Sequence, residues 1–400
     1  MCAGTRTLPV RACIASNLLS FLLGYYLFRV SPPLEIAQAH SAAQGPQPKI
    51  GTDLGKDEKA SLPLAGELSV ANDIKDLPGT VRDAAAKRGV AYRCLNTECS
   101  QVSARCQKDI FKARAYRCPS DEWVRSMVLA DPDPDKILIN IGCNKGQDSI
   151  AWLQFFDQKG QYNLKNWSRS LPRKDACSGK KQPPTGPPPI SSSKGPTAVC
   201  VEAAPRNFKF LVSRQRSLGY GPGEAGSGRG SLHVIHAAAT SRARPGEMVE
   251  FPDAPAGEER AGLNYHSDWK MVKVPKETVD GIAERLRLPK VDALLIDTEG
   301  ADPAVLAGAK RTLQTVRYLV FEVHRDLPGS DWSKKSLFSV ADSLDTQGFD
   351  CWWAANDGSV ASVTQCYEPR FEEIGWSNVV CAKRGDVWWK ILEALDPNAK

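Results

Sequence analysis

The chain has 400 residues, 42% hydrophobic and 24% charged, which allows one large globular domain with appendages or two modest ones. Its net charge of +6 is spread along the chain. No run of Lys and Arg interleaved with aromatics marks a nucleic-acid groove, which argues against a nucleic-acid partner.

In chain order, Arg6 and Arg11 precede Ala12 to Phe28, an uncharged run rich in Leu, Phe and Tyr that Arg29 closes. The run is marginal in length for a membrane helix and long for the apolar region of a signal peptide. It predicts an uncleaved signal anchor over residues 1–30. The protein would then be a single-pass type II membrane protein with its bulk on the lumenal side of the ER or Golgi. Cleavage near Ala37-Gln38-Ala39, giving a secreted chain, is the alternative. Residues 31–90, opening with Pro32-Pro33, are polar and rich in Ala, Gly and Lys, and read as a stem. Residues 91–130 read as a Cys-bearing helical lead-in. The twelve cysteines fit a secretory compartment. Cys94, Cys99, Cys106 and Cys118 lack paired zinc-ligand spacing, so disulfides are expected among them. Cys143 and Cys200 fall on core elements and are candidates for free thiols. Asn166-Trp167-Ser168 is a glycosylation sequon in what reads as an irregular segment.

An α/β domain is expected over residues 131–390, with two interruptions. Residues 161–196, including "KQPPTGPPPISSSKGP", are too rich in Pro, Lys and Ser to bury a core. Residues 218–231, "LGYGPGEAGSGRGS", have no Gly-Lys-Ser/Thr ending and read as a linker rather than a phosphate loop. Between these, strands and helices alternate. "ILINIG" leads to a helix from Gln147, "TAVCVEAAP" to "NFKFLVSRQRSL", and "VDALLIDTEG" to the helix "DPAVLAGAKRTLQTV". That last helix has an apolar stripe of Val305, Ala309, Leu313 and Val316. "LHVIHAAAT" and "YLVFEVH" are further strands, and "GFDCWWAAN" and "WSNVVCAKRG" read as an antiparallel pair. Short apolar strands separated by helices indicate a mostly parallel sheet covered on both faces.

Ligands of such sheets sit beyond the carboxyl ends of the strands. Gly142-Cys143-Asn144-Lys145-Gly146 is the first loop there. An Asn at the middle position of a G-x-G-x-x-G pattern argues against a dinucleotide. Glu202 ends the second strand, where a carboxylate can accept hydrogen bonds from both ribose hydroxyls. Asp297 and Glu299 stand two residues apart at the end of the fourth strand, one able to face a cofactor and the other a substrate; an acidic turn before a helix also serves as a cap. His324, ending "LVFEVH", has an unperturbed pKa suited to a base. Glu322 reads equally as a structural hydrogen-bonder or a site residue. No recognisable ligand spacing supports a divalent metal on Asp297, Glu299 and Glu322. Trp352-Trp353 and Trp388-Trp389 read as edge packing rather than a sugar platform.

Several of these stretches together resemble the FkbM-type family of S-adenosylmethionine-dependent methyltransferases over about residues 131–330. They are "INIGCNKGQ", "VEAAPRNFKFL", "VPKETVDGI", "VDALLIDTEGADPAVLAGA", the most specific, and "LVFEVH". The sequence departs from the family where Asn140 replaces a frequent Asp, where Asp302 replaces a frequent Glu, and in the two insertions. The resemblance implies a Rossmann-like class I methyltransferase sheet, mostly parallel with a C-terminal antiparallel hairpin. It also implies methyl transfer from S-adenosylmethionine to an oxygen, the hydroxyl of a glycan or another secretory-pathway product. Asn140, Gly142, Cys143, Asn144 and Gly146 would hold the amino-acid end of the cofactor and Glu202 its ribose. Asp297 would lie near the methyl group, with Glu299 and His324 as candidate bases. A non-catalytic lumenal binding or scaffold protein on a methyltransferase fold is the alternative.

Overall fold

The computed structural model describes residues 123–157, 159–172, 195–222, 231–263, 268–356, 358–364, 367 and 369–396. The expected anchor, stem and four clustered cysteines, and most of both insertions, lie outside these residues. Among the described residues no helix is long and apolar enough to cross a membrane.

The main sheet has eight strands in the order β10-β9-β11-β8-β7-β1-β2-β3. They are β1 (Ile137–Ile141), β2 (Thr197–Glu202), β3 (Ser231–His236), β7 (Ala293–Ile296), β8 (Tyr318–His324), β9 (Phe349–Ala354), β10 (Val360–Ser362) and β11 (Trp376–Lys383). β3, β2, β1, β7 and β8 run parallel to one another. β11 runs antiparallel to both β8 and β9, and β10 runs antiparallel to β9. The two terminal strands expected as a pair therefore do pair, but β10 intervenes in sequence and β11 is inserted beside β8.

β1, "ILINI", is buried at every position. Leu138 packs into one apolar cluster, and Ile139 and Ile141 into a second on the opposite face. Burial on both faces accounts for its nearly unbroken apolar run. The Leu138 face is covered by α1 (Trp123–Ala130), α2 (Gln147–Phe156), α4 (Pro205–Leu218) and α8 (Val387–Leu395). The other face is covered by α5 (Val279–Arg285), α6 (Asp302–Ala307) and α7 (Leu337–Thr346). α1 is tied into this core through Trp123 Nε1, which donates to Tyr318 Oη at 3.0 Å, and through Trp388 Nε1, which donates to the Met127 carbonyl at 3.1 Å. Arg317 lies over the Trp388 ring and bridges Asp131 and Asp386.

Several expectations are corrected. The first insertion does bury core side chains: Tyr162, Leu164 and Trp167 are buried, and Asn166 lies on a short helix, α3 (Leu164–Ser168), not in an irregular segment. The second begins later than residue 218, since Tyr220 is buried against Tyr162 and Trp167. Cys143 and Cys200 are not free but form a disulfide, as do Cys351 and Cys381, which face each other across β9 and β11. Two disulfides are compatible with a lumenal or secreted protein. The helix expected to run on to Val316 stops at Ala307, because Gly308 lies against the Thr240 carbonyl and the Asp280 carboxylate takes the amides of Arg311 and Thr312. Its apolar stripe is buried all the same.

Sequence reading did not find a three-stranded sheet of β4 (Ala238–Ala239), β6 (Met271–Glu277) and β5 (Met248–Pro252), in the order β4-β6-β5. It projects the loop between β5 and β6 toward the carboxyl ends of the main strands.

Candidate functional site

A cavity of about 1090 Å³ lies at those strand ends. It stands at the upper end of the roughly 300–1000 Å³ range of small-molecule pockets. All the residues singled out from sequence line it: Asn140, Gly142, Cys143, Asn144, Glu202, Asp297, Glu299 and His324, with the single exception of Gly146. Gly146 supports the wall from behind, where a Cβ would strike Leu211 and Trp167.

One end is the loop after β1. Gly142 has φ +76°, and a Cβ there would lie 1.7 Å from the Asp297 carbonyl oxygen. Only glycine permits this approach between the β1 and β7 ends. The amides of Gly142 and Cys143 both donate to the Val201 carbonyl, and this brings Cys143 beside Cys200. Asn144 also has positive φ, at 47°. Its amide donates to Glu202 Oε2 at 2.7 Å, while the Ala204 amide donates to Oε1 at 2.7 Å. Burial pushes the Glu202 carboxyl up to about 7 against these bonds, which favour its ionised form. Asn140 interrupts the apolar run of β1; its Nδ2 donates to Ser149 Oγ at 3.2 Å, leaving Oδ1 as an acceptor.

The other end is acidic. Asp297 presents its side chain to the cavity itself, so solvent reaches it although protein surrounds it. That enclosure, and then the charges of Glu322, Glu299 and Asp302, hold its carboxyl well above the usual range. Burial and the Glu322 charge raise Glu299 to about 7. His324 Nδ1 lies 3.0 Å from Glu299 Oε2 and 3.5 Å from Glu322 Oε2. Burial alone would lower its pKa, but the hydrogen bond of Glu299 and the charges of both carboxylates outweigh it and raise the imidazole to about 10. The unperturbed titration expected from sequence is therefore not what the fold provides.

Glu322 and His324 are two apart on β8 and so share one face of the sheet. Glu299 reaches them from a left-handed backbone position at φ 54°. Asp302, in contrast, is fully buried and structural: it accepts from Thr298 Oγ1 and from the Glu322 amide. Trp376 on β11 lines the same end and donates through Nε1 to Glu322 Oε1. The tryptophan doublets do not contribute. Trp352, Trp353 and Trp388 are buried in the core, and Trp389 Nε1 donates to Asp350. Sequence reasoning missed Trp376, because only the insertion of β11 beside β8 brings it to Glu322.

Residues of the β5–β6 loop complete the wall. The Asn144 Nδ2 donates to the Glu258 carbonyl at 3.1 Å, Lys145 Nζ pairs with Glu259 at 2.7 Å, and the Gly257 amide donates to Asn207 Oδ1 at 2.7 Å.

Comparison with curated proteins finds no match, and comparison with solved structures finds none. Residues 192–351, which begin just before β2 and so exclude the glycine loop but include Glu202, Asp297, Glu299, Glu322 and His324, match the family model described as the methyltransferase FkbM domain, and over that span the protein is similar to methyltransferases of this family.

Proposed function

We propose that the protein is an S-adenosylmethionine-dependent O-methyltransferase with the class I arrangement of strands, acting on a hydroxyl of a glycan or other secretory-pathway product. The observation that carries this reading is one cavity with a glycine loop and Glu202 at one end and Asp297, Glu299 and His324 at the other. The residues suit the cofactor by their own chemistry. Gly142 allows backbone where a Cβ would strike Asp297, and the remaining lone pairs of Glu202 are acceptors for two ribose hydroxyls. Asn140 Oδ1, with the loop residues Gly142, Cys143 and Asn144, would hold the amino-acid end, and Gly146 supports that loop from behind. α2 begins after Gly146 with no side-chain cap, so the positive end of its dipole favours a carboxylate there.

When bound, the cofactor supplies a methyl group already activated by the sulfonium charge. The chain then has to hold an oxygen in line and accept its proton. With a pKa near 7, Glu299 is the base of choice, being partly ionised at neutral pH. His324, protonated at that pH, holds Glu299 in place and balances part of the acidic charge. Asp297 faces the space between the two ends. An oxidising compartment is supported by the two disulfides, and anchoring through residues 1–30 in a type II orientation belongs to the same proposal.

Calorimetric titration of S-adenosylmethionine into the full-length chain, with NAD as control, tests this reading. Binding that Glu202→Ala abolishes supports it and justifies screening glycans for methyl transfer. A folded chain that takes up no S-adenosylmethionine would instead be a lumenal binding or scaffold protein on a methyltransferase fold.

A further inference from the structure

We propose that Glu299, Glu322 and His324 form a site for a divalent metal cation at the acceptor end of the cavity. The proposal deepens the methyltransferase reading by naming what holds the acceptor oxygen, and it rests on that reading only for this role; with the ion bound, His324 is neutral, and Glu299 and His324 serve as ligands in place of the base and counter-charge roles they have in the cation-free site.

One oxygen from each carboxylate and one ring nitrogen of His324 lie within 4.8 Å of one another. Two ligands about 2.1 Å from a single cation and at right angles to each other stand about 3.0 Å apart. The Glu299–His324 separation is 3.0 Å, and the Glu322–His324 separation of 3.5 Å corresponds to a somewhat wider angle.

A second observation is independent of this spacing. Glu322 is 4% exposed, and its Oε2, the atom turned toward His324, has no hydrogen-bond partner. Buried carboxylate oxygens normally have partners, and an orphaned one turned into a ligand cluster is accounted for by a missing cation. The sister oxygen is held by Trp376 Nε1, and the Glu322 amide is held by Asp302 Oδ1, so the carboxylate has the outer support expected of a metal ligand. Charge points the same way. Two carboxylates, Glu299 and Glu322, converge on one point in the wall that Asp297 also lines, and a divalent ion would balance them.

Three protein ligands leave coordination positions open, and these face the cavity, where an acceptor oxygen could occupy one. Two carboxylates with one imidazole suit a first-row ion such as Mn²⁺ or Zn²⁺ better than Ca²⁺, which takes oxygen ligands.

The test uses the full-length chain, stripped with a chelator, and Mn²⁺ as the probe, followed by loss of the free-ion electron paramagnetic resonance signal in the absence of cofactor. One saturable site per chain is expected. Glu322→Gln and His324→Ala should each weaken it at least tenfold, whereas Glu284→Gln, on the exposed face of α5, should not. Nitrogen coupling to the bound Mn²⁺, present in the wild type and lost in His324→Ala, reports the ligand directly even where a variant loses stability. Absence of saturable binding below millimolar Mn²⁺ in a folded chain overturns the proposal, as does a site that survives all the ligand substitutions. S-adenosylmethionine binding is titrated separately. Mn²⁺ binding without cofactor binding would sink the methyltransferase reading alone, and the reverse would sink the metal site alone.

Discussion

Gly142→Ala tests whether the close approach of the β1 and β7 ends is a requirement of the fold. The new Cβ would lie 1.7 Å from the Asp297 carbonyl oxygen, whereas real contacts stay beyond about 3.0 Å, so the loop must retreat by more than an ångström. It cannot do so alone. Its amides at Gly142 and Cys143 are bound to Val201 at 2.9 and 3.2 Å, and the Asp297 amide is bound to Ile141 at 2.9 Å. Breaking one of these buried bonds costs about 1–3 kcal/mol, and an alanine at φ +76° adds about 1–2 kcal/mol. A loss of about 3 kcal/mol or more is expected, which lowers Tm by roughly 6–12 °C. Gly219→Ala is the control, since its φ is +67° but nothing lies within 4 Å of its Cβ. It should cost only the backbone term, roughly 2–8 °C and less than Gly142→Ala. Circular dichroism melts of both variants measure the difference, and calorimetry of S-adenosylmethionine binding should show a loss for Gly142→Ala alone. Equal melting losses in the two variants would refute the reasoning.

Other predictions concern charge and the disulfide. Because burial raises Glu202 from 4.5 to about 7, its proton is bound more tightly in the folded state. The associated stability is fully present below pH 4.5 and lost as pH rises through 7, about 3 kcal/mol in all. Denaturant titrations from pH 5 to 8.5 should show that decline in the wild type and a flatter profile in Glu202→Gln. Replacing Cys143 and Cys200 together by Ser opens a loop with a sequence separation of 57 and should cost about 2–4 kcal/mol, read as a shift in denaturation midpoint. It should weaken cofactor binding as well, because the disulfide anchors the glycine loop. Asn140→Asp adds a carboxylate at a buried position. Calorimetry should show tighter S-adenosylmethionine binding, by about tenfold, while the cofactor-free protein melts lower.

The parts of the fold legible in the sequence are those that a local pattern encodes. β1, β2, β7 and β8 are short apolar runs because both faces are covered, and Gly142 and Glu202 sit where a strand turns into a loop. The extent of α6 was not legible, because an apolar stripe with helical spacing says nothing of Asp280, a residue on another helix that takes the amides beyond Gly308. Nor was the Cys143–Cys200 disulfide. It depends on a loop bending back onto the neighbouring strand, and Val201 fixes that contact through two backbone bonds. His324 shows the same limit in its chemistry. Its position was legible, but its charge state depends on Glu299 and Glu322, which reach it from a turn and from its own strand.

The β5–β6 loop extends this point to specificity. Gly257 is bound to Asn207, Glu258 to Asn144 and Glu259 to Lys145, so one side of the loop is fastened to the glycine-loop end of the cavity. Five residues further on, Gly262 packs so tightly on Glu299 that a Cβ would meet its Cβ at 3.0 Å. A single segment thus touches both ends of the cavity. Hydrogen bonds and an ion pair fasten it, and interactions of that kind leave no periodic trace in a sequence. The strand ends are therefore legible as a site in the sequence, while the loop that touches both ends of the cavity is not.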